Sequence, residues 1–190
     1  IIVGGGSSGC VAASRLSEDA KNNVLLIESG RRDTNKWIHI PATFFKVIEG
    51  GVDVKFYAAE PSKDVNGRTV IVPQGHVIGG GSSVSAMLYV RGQAHDYNLW
   101  SQMGCRGWSY EDVLPVFRDL ENNAVHRDEF HGEKGELHVN DKRFAHPLCE
   151  AFVKAAQEAG LPYNPDFNGA NQEGVGFYQT TTNGGRRWSA

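Results

Sequence analysis

What the chain lacks narrows its reading first. No apolar run approaches the about 18 residues that a membrane-crossing helix needs, and no basic stripe gathers its 19 Lys and Arg residues into a nucleic-acid footprint. Cysteine is scarce. Cys10, Cys105 and Cys149 are odd in number, far apart and without CxxC spacing, so they read as reduced structural thiols rather than a disulfide framework or a reactive centre. Repeats and low-complexity segments are also missing. There is no initial Met and no signal-peptide pattern: the chain opens inside the apolar run Ile1-Ile2-Val3 and stops at Trp188-Ser189-Ala190 with no helix or strand completed. Both ends read as cuts through structure, so any targeting segment would be invisible. The cytoplasm is the favoured compartment.

What is present is ordinary in bulk. With 190 residues, 40% hydrophobic, 22% charged and a formal net charge of −3, the chain suits one domain or part of a larger one. Glycine is abundant, at 23 residues, and many of them sit in two clusters. Ile1 to Val3 reads as the end of a buried parallel strand, followed by Gly4-Gly5-Gly6-Ser7-Ser8-Gly9. Cys10 to Leu16 is helix-compatible, with small residues where a helix lies close to a sheet. Val24-Leu25-Leu26-Ile27 is a second strand-length apolar run, closed by Glu28. Strand, glycine turn, helix and strand make a βαβ unit.

Further along, Trp37 to Pro41 and Lys55 to Ala59 read as extended, and Asn66-Gly67 as a turn before a strand at Thr69 to Val72. A capping box at Ser109 to Asp112 opens a helix with Val113, Phe117 and Leu120 on one face and Pro115 within its first turns. Gly135 to Val139 reads as a short strand. His146-Pro147 starts another helix, whose apolar face is Leu148, Phe152, Ala155 and Ala159 and which Gly160 stops. From Asn164 the chain reads as loop and edge strand.

The spacing Gly4-x-Gly6-x-x-Gly9 has a physical task. The first glycine allows a tight turn, the second lets backbone approach a pyrophosphate, and the third lets helix and strand pack closely. Helix N–H groups and the helix dipole then meet the phosphate charge. An acid at the end of the next strand, Glu28, accepts hydrogen bonds from adenosine ribose hydroxyls. Arg31-Arg32 could clamp the 2′-phosphate of NADP, but Glu28 would repel that phosphate, and a solvated charged turn is the commoner meaning. The second cluster, Gly79-Gly80-Gly81-Ser82-Ser83, offers backbone N–H groups among small side chains, able to lie along an anionic or electron-accepting group.

The run from Gly75 to Gly92 resembles a signature of the glucose-methanol-choline (GMC) flavoprotein family. Asp96-Tyr97 with Trp100, Gly107 to Tyr110, and Leu161 to Tyr178 with Arg187 to Ala190 are similar to the same family, in the same order. The likeness is closest to its choline-dehydrogenase-like alcohol dehydrogenases. It implies an α/β fold: an incomplete Rossmann-type FAD-binding domain over residues 1–98, then the start of an α+β substrate domain over 99–190. It also implies that Gly4, Gly6, Ser8 and Gly9 hold the FAD pyrophosphate and that Glu28, with Ser29 beside it, holds the ribose. Gly79, Gly80, Gly81 and Ser82 would run along the cofactor, and Ser85, Ala86, Met87 and Leu88 would approach the flavin. Some relatives bind FAD covalently through a histidine where this chain has Val84, so non-covalent FAD is expected.

Two departures stand out: Ser85 where the family usually has Asn, and His76 where it has Lys, Arg or Asn. The resemblance implies hydride transfer from a primary alcohol to the flavin, giving an aldehyde, with electrons passed to an acceptor other than oxygen. Its histidine base lies near the family's far C-terminus, so no catalytic residue is expected in this chain and residues 1–190 alone are expected to be inactive. His126, His131 and His138 read as loop residues, and no metal site is expected. The partners implied are a small alcohol and an unidentified electron acceptor. An oxygen-using oxidase, a cyanohydrin-cleaving lyase that keeps FAD, and a non-catalytic dinucleotide-binding remnant are the rivals. An NAD(P)-dependent dehydrogenase is disfavoured by the second glycine cluster.

Overall fold

The computed structural model describes residues 1–190 and divides them into two compact units, one of residues 1–87 with 184–190 and one of residues 88–183. No helix is long and apolar enough to cross a membrane.

The first unit begins with the expected βαβ. Strand β1 (Ile2–Val3) and strand β2 (Leu26–Ile27) pair in parallel, with Ile2 opposite Leu26 and Val3 opposite Ile27. Helix α1 (Ser7–Ser17) makes the crossover. Val3 is 83% exposed, and Leu25 and Ile27 are also exposed, so this two-stranded sheet is unlike the doubly covered parallel sheets of finished α/β domains.

Trp37 to Pro41 is not extended as its residues suggested. The Asn35 side chain accepts from the Trp37 N–H and caps a short helix, α2 (Lys36–His39), and Pro41–Thr43 continues as a 3₁₀ turn. Local capping by Asn35 outweighs the β preference of Trp and Ile. Helix α3 (Phe44–Gly50) ends at Gly51 with φ +63. Strand β3 (Val54–Ala58) pairs antiparallel with β4 (Ile71–Gly75), from Val54–Gly75 to Ala58–Ile71, and Asn66 and Gly67 turn between them with positive φ. Helix α4 (Gly81–Val84) follows. Ile38, Val47, Val54, Val77 and Val84 form the core, with Trp37 against it.

In the second unit, helix α5 (Ala94–Gln102) is capped reciprocally by Gln93 and Asp96, and α6 (Tyr110–Leu120) by Ser109 and Asp112 as expected. Tyr97 sits between them, edge-on to Trp100 at 5.5 Å and to Phe117 at 5.8 Å. Strand β5 (Glu121–Asn123) pairs in parallel with β6 (Leu137–Val139). Helix α7 (Pro147–Glu158) starts where His146-Pro147 indicated. It buries Val153, however, and leaves Leu148 at 73% and Phe152 at 69% exposure. Periodicity identified a stripe but not which face the unit covers.

Candidate functional site

The candidate site lies in the first unit, where the two glycine clusters meet. Gly4 turns the chain out of β1 at φ +100, a conformation that glycine tolerates best. A side chain on Gly9 would place its Cβ 1.8 Å from the Gly4 carbonyl oxygen, so helix α1 can rise this close to the strand only without one. Gly6 is different. It is the N-cap of α1, with no side-chain cap, and a Cβ there would meet nothing within 4 Å. The helix therefore presents uncapped N–H groups beside open space, the arrangement that attracts an anion. Ser8 is exposed in the helix's first turn.

Gly5 ties the parts together. Its N–H donates to Glu28 Oε2 at 2.7 Å, and its carbonyl accepts from the Gly79 N–H at 2.7 Å. Glu28 also accepts from the Gly30 N–H at 2.6 Å. Those bonds, Gly30's first and Gly5's next, hold its carboxyl below the usual carboxylate range, so Glu28 is an anion at neutral pH. Ser29 is exposed, and its Oγ lies 2.9 Å from His76 Nε2.

In the second cluster, Gly79 (φ +85) and Gly80 (φ +53) both take left-handed backbone, and a Cβ on Gly80 would stand 2.7 Å from Gly6 Cα. The clusters are in backbone contact. The Ser82 and Ser83 hydroxyls are spent locally, donating to the carbonyls of Gly79 and Ile78. Gly81 again faces open space. Ser85 is exposed, and its Oγ accepts from the Met87 N–H at 3.3 Å. Ala86 is half-buried, and Met87 is buried at φ +62, an uncommon conformation for a side-chain-bearing residue. Leu88 opens the second unit, half exposed, in a bridge to Thr180.

A cavity of about 480 Å³ is lined by Gly6, Glu28, Gly80, Gly81, Val84 and Ser85, together with Ile48 and the stretch Pro73-Gln74-Gly75. Among the expected residues, Gly6, Glu28, Gly80, Gly81 and Ser85 thus share one wall. Gly4, Gly9 and Gly79 shape it from behind, and Ser8, Ser29, Ser82, Ala86, Met87 and Leu88 lie outside its lining. Sequence reasoning missed Ile48, Pro73 and Gln74. They enter through α3 and β4, and nothing in their spacing marks them.

Arg31 is no phosphate clamp in this arrangement. It grips the fully buried Asp53 with Nε to Oδ1 at 2.7 Å and a second nitrogen to Oδ2 at 3.3 Å, and Asn35 adds a third bond at 2.7 Å. Burial pushes the Asp53 carboxyl up, but the bonds from Arg31 and Asn35 outweigh it and hold the group ionised.

The second unit holds a different construction, a buried network of charges. Arg91 donates to Glu121 Oε2 at 2.5 Å. His131 lies in a loop as expected, but its side chain is fully buried, with Nδ1 3.1 Å from Glu121 Oε1 and Nε2 2.9 Å from Asp166 Oδ2. Burial opposes its charge, yet the hydrogen bonds it donates to Asp166 and Glu121 raise its pKa to about 9. His138, by contrast, lies in a strand, β6, rather than in the expected loop. Asn123 and Gln179 complete the bonding, and no buried side-chain polar atom lacks a partner. Asp128, His131 and Asp166 bring three ligand-type atoms within 4.8 Å of one another. Both imidazole nitrogens are engaged by carboxylates, which makes His131 the centre of an ion-pair network.

Comparison with known proteins accords with this geometry. The family model described as GMC oxidoreductase matches residues 1–190. The chain is 43% identical over its whole length to an oxygen-dependent choline dehydrogenase of Rhizobium etli and to an alcohol dehydrogenase [acceptor] of Pseudomonas putida, and spans 35% of the length of each. An FAD-dependent oxidoreductase from Chaetomium thermophilum superposes with a TM-score of 0.88 at 30% identity, over 99% of this chain and 34% of that one.

Proposed function

We propose, from the premise that the chain belongs to the GMC oxidoreductase family, that its first unit holds FAD non-covalently and that the whole protein oxidises a primary alcohol to an aldehyde. The observation that carries this reading is the single cavity onto which Gly6, Glu28, Gly80 and Gly81 all open. The cradle fits a dinucleotide in three respects. The two glycines whose Cβ would point into free space leave room for a ligand against the backbone, the uncapped N-terminus of α1 suits a pyrophosphate, and ionised Glu28 suits ribose hydroxyls.

In this reading residues 1–98 are the cofactor-binding part and 99–190 the start of the substrate domain. Gly4, Gly6, Ser8 and Gly9 hold the pyrophosphate, and Glu28 with Ser29 holds the ribose. Gly79 to Ser82 run along the cofactor, and Ser85 to Leu88 approach the flavin. Val84 lines the cavity with an alkyl side chain that can form no bond to the cofactor. When bound, FAD supplies the acceptor for the alcohol's hydride. The chain's own contribution is to bind and orient: its backbone N–H groups are fixed before the ligand arrives, and no reorganisation is needed to present them. No residue of this chain is assigned the proton-removing role.

The acceptor proposed for the electrons is a carrier other than oxygen, as the name of the Pseudomonas putida relative suggests. Oxygen itself is the second reading, favoured by the name of the Rhizobium etli relative. The test is an absorption spectrum of the whole purified protein, then addition of choline or another primary alcohol without oxygen. Flavin bands that bleach support the reading, and recolouring on admission of oxygen would assign the oxidase. A colourless protein that takes up no added FAD would refute it.

A further inference from the structure

One buried cation in the first unit has no part in the reading above. Arg187 is 4% exposed, and its guanidinium is held entirely by carbonyl oxygens. Nε donates to Ile38 O at 2.8 Å, and the two terminal nitrogens donate to Ser82 O at 2.9 Å and Ser85 O at 2.7 Å. No carboxylate pairs with it, and burial alone acts on its pKa, drawing it down to about 10, so it stays charged at neutral pH. The residues around it are equally specific. Ile38 lies in the last turn of α2, while Ser82 and Ser85 belong to the last turn and C-cap of α4. One planar fork thus satisfies the carbonyl ends of two short helices, where orphan acceptors and the negative pole of the helix dipole both favour a cation. The chain beyond it reinforces the clasp, because the Ala190 N–H donates to Ser82 Oγ at 3.1 Å.

We infer that Arg187 is a positioning residue for the cofactor site: it fixes the segment from Ser82 to Ser85 against the cavity and leaves an uncompensated positive charge behind that wall, favouring negative charge on the ligand. The inference rests on the FAD reading. Three features carry it. The fork grips the backbone on both sides of Val84, which lines the cavity, and one of its acceptors belongs to Ser85, which lines it too. A lone buried cation is costly unless it serves a counter-charge, and residues 1–190 supply none here. At the other end of α4, Gly80 and Gly81 open onto the cavity. Buried electrostatics of this kind act over several ångströms, because little water screens them.

The experiment compares the whole protein with its Arg187→Met and Arg187→Lys variants, measuring FAD affinity and the midpoint potential of the bound flavin. Methionine keeps the bulk of the arginine stem and removes both charge and fork, whereas lysine keeps the charge and loses the fork. Arg187→Met is expected to weaken FAD binding about tenfold or more and to shift the potential downward, because added negative charge on the flavin is then less favoured. Arg187→Lys is expected to retain the unaltered potential and most of the affinity. Equal loss of affinity in both variants with no change of potential would reduce Arg187 to a packing residue and overturn the inference, as would a methionine variant unchanged in both readouts. Should Arg187→Met fail to fold, a lysine variant whose potential falls would contradict the proposal and one whose potential holds would support it. An unaltered protein that binds no flavin would defeat the FAD reading, whereas a flavin-loaded protein with unresponsive variants would defeat this inference alone.

Discussion

The two units solve the problem of a polar interior in opposite ways. In the first, the functional wall is made mostly of backbone. Gly5 is bonded to Glu28 and Gly79, Gly80 rests on Gly6, and side chains are excluded where a ligand or another chain segment must approach. In the second, the polar interior is made of side chains: Arg91, Glu121, His131 and Asp166 come from distant positions to form a closed set of two cations and two anions. A backbone site tolerates little change in shape, whereas a side-chain network tolerates little change in charge. That contrast can be broken experimentally, and the expected effects differ in size.

The largest falls on the network. Glu121→Gln leaves Arg91 and His131 buried without their shared anion, and should cost the second unit about 3–5 kcal/mol. Hydrogen exchange at residues 121–123 would read this directly, and a loss below about 1 kcal/mol would show the network to be dispensable.

Next comes pH. The His131 imidazole moves from 6.5 to about 9 on folding, so its contribution is complete below pH 6.5 and is lost as pH rises through 9. The shift corresponds to about 3 kcal/mol at most. Glu121 and Asp166 are both held below their ordinary values of 4.5 and 3.8, so their contribution is present above those values and is lost as pH falls through the folded ones. Urea unfolding of the second unit should therefore be most resistant between about pH 4.5 and 6.5. A flat profile from pH 6 to 10 would contradict the assignment of a charged His131.

A smaller effect is expected in the first unit. Glu28→Gln keeps the shape but loses the anion and turns an amide nitrogen toward Gly5 or Gly30, and FAD affinity should fall about tenfold. Equilibrium titration of flavin absorbance measures it. The smallest is Arg31→Ala. Arg31 serves Asp53 rather than a cofactor phosphate, so FAD affinity should change by less than about twofold. A large loss with the melting temperature unchanged would revive the phosphate clamp.

The same contrast explains what the sequence could reveal. The βαβ unit, the turn at Gly4, the close approach at Gly9 and the acid at Glu28 were legible because each depends on glycine spacing or on a strand end, which are local properties. The capping box at Ser109 and the helix start at His146-Pro147 were legible for the same reason. The Lys36–His39 helix was not, because one Asn35 cap outweighs the extended preference of its neighbours. His131 sits in a loop as its neighbours suggested, but its burial was not legible, since its partners Glu121 and Asp166 lie 10 and 35 residues away and no motif links them. The exposed Leu148–Phe152 stripe shows the same limit from the apolar side. Periodicity reveals a face, and only packing decides whether it is covered.

The most direct test of the cradle is a pair of glycine substitutions chosen for what they do not touch. Gly6 and Gly81 have ordinary negative φ and open space where a Cβ would stand. In the whole protein, Gly6→Val and Gly81→Val should therefore leave the circular dichroism spectrum and melting temperature nearly unchanged and abolish the flavin absorbance of the purified protein. Variants that fold normally and still carry a full complement of FAD would show that the ligand does not lie against these glycines, and would contradict the account.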